Sequence, residues 1–144
     1  MKAFEPKTPR FEERVRESFA RQALMKTINA HLARVTPGFV VIELPFRDDL
    51  TQQHGYLHAG IVTSIADSAC GYAALTLMTE DSDVLSVEFK INLLSPARGE
   101  KLIARAGVKR AGRTLTVCEA EVFAVNGEEE KLVAAMLATM MAMR

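Results

Sequence analysis

One carboxylate stands alone in an otherwise uncharged part of the chain. Between Asp49 and Glu80 lie 30 residues, and the only Asp, Glu, Lys or Arg among them is Asp67. The overall content of 25% charged residues would place about seven there. An isolated acid among small and apolar residues loses hydration, which suits a general base or a nucleophile. Such a carboxylate could equally bond a neighbouring backbone or an arginine and serve only the structure.

The loop in front of this region carries a second group of polar residues. Residues 52–60, QQHGYLHAG, combine two histidines, two glycines and side-chain amides, a composition typical of functional loops. If a helix begins near Ala59, the N–H groups of Ala59 and Gly60 are free at its positive end and favour an oxyanion. His58 could orient this turn or donate to a carbonyl. A purely structural hydrogen bond is the simpler interpretation for His58, and more so for His54.

The segment from Ala59 to Met78 contains no proline and predicts a helix. One half of its helical wheel is apolar and comprises Ile61, Val62, Ile65, Ala66, Ala69, Tyr72, Ala73 and Leu77. The other half centres on Asp67 and includes Gly60, Thr63, Ser64 and Gly71. A solvent-facing helix normally carries Lys and Glu, so this small-residue face predicts close approach by a backbone or a ligand. We therefore expect the helix to be enclosed on both sides.

The N-terminal part of the chain predicts a short helix followed by a hairpin. Phe11, Val15 and Phe19 recur every four residues among charged ones, which indicates an amphipathic helix covering the core. The helical spacing could continue as far as Leu32. The Pro37-Gly38 pair then predicts a turn into a strand.

The C-terminal part of the chain predicts antiparallel strands. From Val84 the sequence alternates, with Val87, Phe89, Ile91 and Leu93 on one face and Ser86, Glu88, Lys90 and Asn92 on the other, as in a half-buried strand. Two further alternating runs meet at a turn at Ala111-Gly112. Asn126-Gly127 predicts a hairpin into the apolar run 132–143, which reads as a strand buried on both faces.

Composition excludes several classes of function. Lys plus Arg and Asp plus Glu are 18 each, so no net charge attracts nucleic acid or an anionic membrane. The charged N-terminus has no apolar signal region, and no later run has the length of a membrane helix. Cys70 and Cys118 have no metal-ligand spacing and lie in apolar runs, as buried free thiols do. We expect a cytoplasmic protein with no metal and a single domain over residues 1–144.

The order of these motifs resembles the PaaI-like acyl-CoA thioesterases of the hotdog superfamily. The family signature looks like an Asn, a Gly and then His-Gly-Gly, with an Asp on the helix nine residues after the His. Here it reads Gln52, Gly55, 58–60 (His-Ala-Gly) and Asp67. Residues 85–100, LSVEFKINLLSPARGE, are similar to the family's strand and loop after the helix. The chain departs from the signature in two places, where Gln keeps the amide and Ala keeps the backbone N–H.

The resemblance implies an architecture and an assembly. It implies an α+β hotdog fold, in which an antiparallel sheet of five or six strands wraps around a long central helix, with an additional N-terminal helix. In the family the site lies between subunits, with the acid from one chain and the oxyanion loop from the other. A homodimer at minimum, and commonly a homotetramer, is therefore implied.

The resemblance also implies roles for individual residues. Asp67 would activate water or attack the thioester carbonyl, and the Ala59 N–H would stabilise the oxyanion. Gln52 would position the water or the carbonyl, His58 would hold the turn, and Ser86 would face the site. The remaining candidate contacts to substrate are His54, Gly60, Ser64, Ser95, Arg98, Lys109, Arg110 and Arg113. The four cations among them could bind CoA phosphates, although each is also typical of a solvated surface. No cofactor is implied, since CoA is part of the substrate.

Three alternative functions remain open at this level. The first is hydration or dehydration of an acyl thioester on the same fold, which would pair an acid with a catalytic His in an arrangement that the His58–Asp67 spacing does not match. The second is a non-catalytic sensor that binds acyl-CoA or fatty acid, although no DNA-binding segment is visible. The third is a structural subunit, for which Asp67 would be an unexplained cost.

Overall fold

The structure is a computed structural model that describes residues 3–144. Its helices are α1 (Phe11–Arg21), α2 (Ala23–Thr27) and α3 (Ala59–Leu75), with a 3-10 turn at Asp48–Leu50. Its strands are β1 (His31–Thr36), β2 (Phe39–Pro45), β3 (Asp83–Leu93), β4 (Lys101–Ala111), β5 (Leu115–Asn126) and β6 (Glu129–Met143). The predicted α+β class, with a long helix and a short N-terminal helix, is confirmed.

The six strands form one antiparallel sheet in the order β1-β2-β4-β5-β6-β3. One face of this sheet packs on α3, which contacts β2 to β6. The packed face is built from alternate strand residues, such as the fully buried Val40, Ile42 and Leu44 of β2. The core therefore lies between the long helix and the sheet that surrounds it.

The turn signals locate the hairpins correctly. β1 and β2 join at Pro37-Gly38, and Thr36 pairs with Phe39. Gly38 has φ +77°, and a Cβ there would lie 2.6 Å from the Phe4 ring, so both backbone angle and space require glycine. The hairpins after β4 and β5 are also confirmed, but each loop begins one residue later than predicted, because Ala111 and Asn126 are still paired in their strands.

The central helix ends at Leu75, three residues earlier than predicted. The hydroxyl of Thr76 accepts a 2.8 Å hydrogen bond from the Gly38 N–H and donates to the Ala73 carbonyl at 2.6 Å. This buried threonine ties the helix end to the first hairpin, a contact between parts of the chain 38 residues apart. With 17 residues α3 is the longest helix, and no helix within 3–144 is long and apolar enough to cross a membrane.

The N-terminal helix covers the core as expected, with Val15 buried and Phe19 edge-on to Tyr72 at 5.9 Å between ring centroids. The expectation that helical spacing could reach Leu32 is wrong. The backbone becomes extended at Gln22, with φ −77° and ψ 103°, and this break separates α1 from the short α2. Leu32 instead lies in β1.

Two predicted burial patterns are wrong for the single chain. β6 is buried on the helix side only, because Leu137 on its outer face is 51% exposed. β3 is not half-buried: it lies at the sheet edge, and Val87 and Leu93 are both 53% exposed. The apolar residues of both strands predicted more burial than one chain shows, because apolar residues also mark surfaces that other molecules cover.

Candidate active site

Asp67 lies on α3 and is hydrogen-bonded to β3. The Ser86 hydroxyl donates to Asp67 Oδ1 at 2.6 Å and lies 3.3 Å from the sulfur of Met140. Asp67 is partly exposed at the edge of a cavity of about 220 Å³. One carboxylate oxygen is thus fixed by a short bond to a hydroxyl, which orients the group toward the cavity.

A β-bulge places Ser86 beside Asp67. Ser86 pairs with Met140 and Glu88 pairs with Thr139, so Val87 has no partner and the face of the strand switches there. Ser86 and Phe89 consequently share the helix-facing side, opposite buried residues of β6. The alternation predicted them on opposite faces, which is wrong, whereas the position beside the acid implied by the resemblance agrees with the structure.

His58 caps α3 and leaves one free donor at its first turn. Its Nδ1 accepts from the Gly60 N–H at 2.8 Å. An Nδ1 that accepts this bond carries no proton, so the ring proton lies on Nε2, which can act as a donor. The Gly60 N–H is not free, contrary to expectation, while the Ala59 N–H has no acceptor among residues 3–144. Only one of the two predicted oxyanion donors is open.

Gln52 closes the loop that precedes α3. Its side-chain oxygen accepts from the N–H groups of His54 and Tyr56, and its own N–H donates to the Tyr56 carbonyl at 2.8 Å. The Gln52 Nε2 group stays available as a donor toward the adjacent cavity of about 430 Å³. His58, Ala59 and Ser95 line the same cavity. His54 is exposed, and its backbone rather than its imidazole serves this loop.

The carboxylate and the free N–H do not meet within one chain. Ala59 and Asp67 are eight residues apart on one helix, which corresponds to about 12 Å along its axis. Each residue also lines a different cavity. A thioester carbonyl and its attacking group must lie about 3 Å apart, so Asp67 and the Ala59 N–H of one chain cannot act on the same carbonyl.

The small-residue face of α3 is open in the single chain. Thr63 and Ser64 donate their hydroxyls to the carbonyls of Ala59 and Gly60 at 2.8 and 2.7 Å, so neither hydroxyl projects. Gly71 has no heavy atom within 4 Å of where its Cβ would be. The expectation that α3 is enclosed on both sides is not met by one chain, which leaves this face flat and unpartnered.

The candidate CoA-binding cations form two separate groups. Arg98 precedes β4, whereas Lys109, Arg110 and Arg113 lie at its far end and in the following turn, about 33 Å away along the strand. Lys109 forms an ion pair with Glu119 at 3.2 Å. One chain therefore does not bring the four cations together.

Both cysteines are buried free thiols, as predicted. Burial raises the pKa of the Cys70 thiol strongly and that of Cys118 to about 12. The Cys118 Sγ lies 3.5 Å from the Cys70 carbonyl oxygen. High pKa values and burial make both thiols unreactive.

A polar network on the other side of Asp67 has no counterpart among the sequence-based predictions. Gln22 bonds Ser68 and Tyr72 of α3, and Ser18 of α1 bonds Tyr72 as well. The helical wheel places Tyr72 only on the packed half of α3, where it is indeed buried. The four-residue spacing from Ser68 to Tyr72 was the only local signal.

Comparison with known proteins identifies the family. A model described as thioesterase superfamily matches residues 54–131, from the loop before α3 into β6. The chain belongs to the thioesterase superfamily. A crystal structure of a thioesterase family protein from Silicibacter pomeroyi is 51% identical, with a TM-score of 0.91 over 92% of this thioesterase and 98% of that chain.

More distant relatives agree. Human acyl-coenzyme A thioesterase 13 is 29% identical over 104 residues, which are 72% of each chain. The PaaI protein from the phenylacetic acid degradation operon of E. coli is 21% identical and shares the fold, with a TM-score of 0.84 over 94% of both chains. The resemblance drawn from the sequence is confirmed: this thioesterase has the hotdog fold and is a thioester hydrolase.

Proposed function

We propose that this thioesterase hydrolyses acyl-CoA, with Asp67 as the general base or nucleophile and the Ala59 N–H as the oxyanion donor. The observation that carries the proposal is that one helix presents both a cavity-facing carboxylate, oriented by Ser86, and a free N–H at its start. The partly open cavity gives Asp67 access to water or a thioester carbonyl.

A second copy of the chain would bring Asp67 of one copy and the Ala59 N–H of the other together. When two α3 helices pack antiparallel, the residue numbers of any two residues that face each other add up to the same value. A two-fold axis near Thr63 and Ser64 brings Ala59 of each copy opposite Asp67 of the other, so the dimer contains two equivalent sites. The flat small-residue face permits this close approach, because its hydroxyls fold back onto the helix.

The edge strand β3 provides the second part of this interface. Its outer backbone groups have no strand partner within residues 3–144. Four large apolar residues of the strand are at least 42% exposed: Leu85, Val87, Phe89 and Leu93. Pairing of two β3 strands would continue the sheet across the dimer and cover these side chains. A homodimer is thus the smallest competent unit, and a tetramer stays a prediction.

The chemistry follows from the available donors and acceptors. As a base, Asp67 takes a proton from water while the water oxygen attacks the carbonyl carbon; as a nucleophile, it forms an anhydride that water then opens. In both routes the carbonyl oxygen takes up negative charge beside the Ala59 N–H, the C–S bond breaks, and the CoA thiolate leaves and is protonated. The Gln52 Nε2 and His58 Nε2 groups are donors that can hold the carbonyl or the water.

The candidate CoA-binding cations would come from two copies of the chain. Arg98, Arg110 and Arg113 form no ion pair with any described residue, so they are better phosphate ligands than the paired Lys109. Because the two groups lie at opposite ends of β4, each CoA meets one group from each chain or only one group in total.

The proposal is tested by following thiol release from a panel of acyl-CoA thioesters. Cys70 and Cys118 are buried thiols with raised pKa values, so we expect a thiol reagent to report the released CoA alone. We expect Asp67→Asn to lose about 10²- to 10⁴-fold in kcat, whereas Asp81→Asn, the same change at an exposed acid outside both cavities, retains activity. Equal rates for Asp67→Asn and the parent would remove Asp67 from the mechanism. Tight binding without hydrolysis by the parent would favour the sensor function instead.

A further inference from the structure

The cavity beside Asp67 has a polar wall that the proposed mechanism does not use. The cavity lies between β3 and the break that separates α1 from α2. Its lining consists of Ser18, Gln22, Asp67, Ser68, Gly71, Tyr72, Asp83, Val84, Leu85 and Ser86. These described lining residues include no lysine or arginine, and Asp83 adds a second acid. The space next to the reacting group is therefore polar but not cationic.

Gln22 is the centre of this wall. It occupies the N-cap position of α2, yet its side chain caps nothing there. Both polar atoms of its side-chain amide form hydrogen bonds with α3 instead. Nε2 donates to the Tyr72 hydroxyl oxygen at 2.9 Å, and Oε1 accepts from the Ser68 hydroxyl at 3.0 Å. The Ser18 hydroxyl lies 3.3 Å from the same tyrosine oxygen. The helix break thus holds a glutamine amide against the α3 turn that follows Asp67.

We propose that Gln22, together with Ser18, Ser68 and Tyr72, forms the acyl-recognition end of this cavity and selects compact acyl groups that end in a neutral hydrogen-bonding group. This inference rests on the proposed function, because it takes Asp67 as the position of the thioester carbonyl. The acyl group would extend from Asp67 toward Gln22 along α3.

The size of the cavity limits the acyl group. Tyr72 follows Asp67 by five residues, or about 7.5 Å along the helix axis. A volume of about 220 Å³ exceeds the roughly 150 Å³ of a cavity that holds benzene. A chain of about six carbons or one ring would fill this space, and a long fatty-acyl chain would extend beyond the polar wall.

The charge and hydrogen-bonding capacity of the wall define the preferred end group. The second Nε2 hydrogen of Gln22 and the lone pairs of Ser68 remain open to a hydroxyl on the substrate. A carboxylate end group would meet Asp83 and Asp67 without a compensating cation. Because the wall residues already bond one another, an alkyl end leaves none of them unpaired, and the preference for a hydroxyl is modest, about 3- to 10-fold.

A series of three thioesters tests this selection: hexanoyl-CoA, 6-hydroxyhexanoyl-CoA and adipoyl-CoA, which differ only at the chain end. We expect kcat/KM to be 3- to 10-fold higher for the hydroxylated probe than for hexanoyl-CoA, and lowest for adipoyl-CoA. Gln22→Met removes the amide, and Tyr72→Phe removes the oxygen that fixes the orientation of its Nε2 group, so each should bring the ratio of the first two close to one. Arg16→Met, a similar change on the exposed face of α1, should keep the parent ratio.

Several results would overturn the inference. A parent ratio of one or below, a preference for adipoyl-CoA, or an unchanged ratio in both Gln22→Met and Tyr72→Phe would each exclude the selector role. If Gln22→Met does not fold, Tyr72→Phe decides, since it keeps the ring beside Phe19.

Failure of the proposed function gives a different pattern. If the parent hydrolyses none of the three thioesters, their Kd values are measured by calorimetry with the parent and with Tyr72→Phe. Tighter binding of the hydroxylated probe to the parent alone would still support the selector, and equal Kd values would refute it.

Discussion

Replacing Ala59 with proline removes a single hydrogen-bond donor without disturbing the helix. Ala59 is the first residue of α3, where proline is favoured and its missing N–H interrupts no helical bond. The preceding residue must be extended, and His58 already has φ −59° and ψ 140°. The N–H that is lost has no acceptor within the described chain. The His58 cap on Gly60 is retained.

The size of the expected loss in kcat follows from the fact that the Ala59 N–H is the single free donor at this helix start. Because the Gly60 N–H is already bonded, Ala59 is the one donor of this turn that can reach an oxyanion. Loss of such a donor costs about 10²- to 10³-fold in kcat, or about 2.7–4 kcal/mol of transition-state stabilisation. The free energy of unfolding should not fall, and it rises by about 0.4–1 kcal/mol if the proline only restricts the unfolded chain.

The assay compares kcat and KM for Ala59→Pro, the parent and Ala59→Gly, with thermal unfolding of each. Ala59→Gly keeps the N–H, so we expect it to lose far less activity than the proline variant. A folded Ala59→Pro enzyme with parental kcat would refute the oxyanion role of this N–H. Equal losses in both variants would show that the side chain, not the N–H, matters.

Three further predictions concern the interface, the first hairpin and the thiols. Phe89→Asp on β3 should yield an inactive monomer in sedimentation experiments, whereas Leu137→Asp, on the outer face of β6, should keep the active dimer; an active Phe89→Asp monomer would contradict the composite site. Thr76→Val leaves the buried Gly38 N–H unpaired and should cost about 1–3 kcal/mol in urea unfolding; an unchanged midpoint would refute this. The Cys118 pKa is raised in the fold from 9.0 to about 12, so its contribution to stability is complete below pH 9 and is lost as pH rises toward 12. Urea unfolding at pH 8 and pH 10 should therefore show a smaller loss of stability in Cys118→Ala than in the parent, and equal losses would refute the shift.

The sequence predicted much of the candidate site because its signals are local. The lone Asp67, the loop before α3 and the nine-residue spacing from His58 all lie within one helix and its entry. Their relative positions follow from helix geometry alone. The small-residue face was also visible, and it indicated a covering surface that one chain does not supply.

Other parts of the site depend on contacts distant in sequence. The bulge at Val87 arises from the pairing of β3 with β6, strands separated by about 50 residues, and it reverses the face on which Ser86 lies. The state of the Gly60 N–H depends on the orientation of the His58 ring. Neither feature has a signature in the residue pattern.

The residue pattern alone was enough to predict the class of fold, the hairpins, the central helix and the acid on it, because hydrophobic period and turn chemistry act over a few residues. Three features became visible only in the folded chain: β3 is an exposed edge, Ala59 and Asp67 of one chain line different cavities, and Gln22 lines the cavity beside the acid. These features depend on which strands pair and where a helix breaks, and non-local packing sets both.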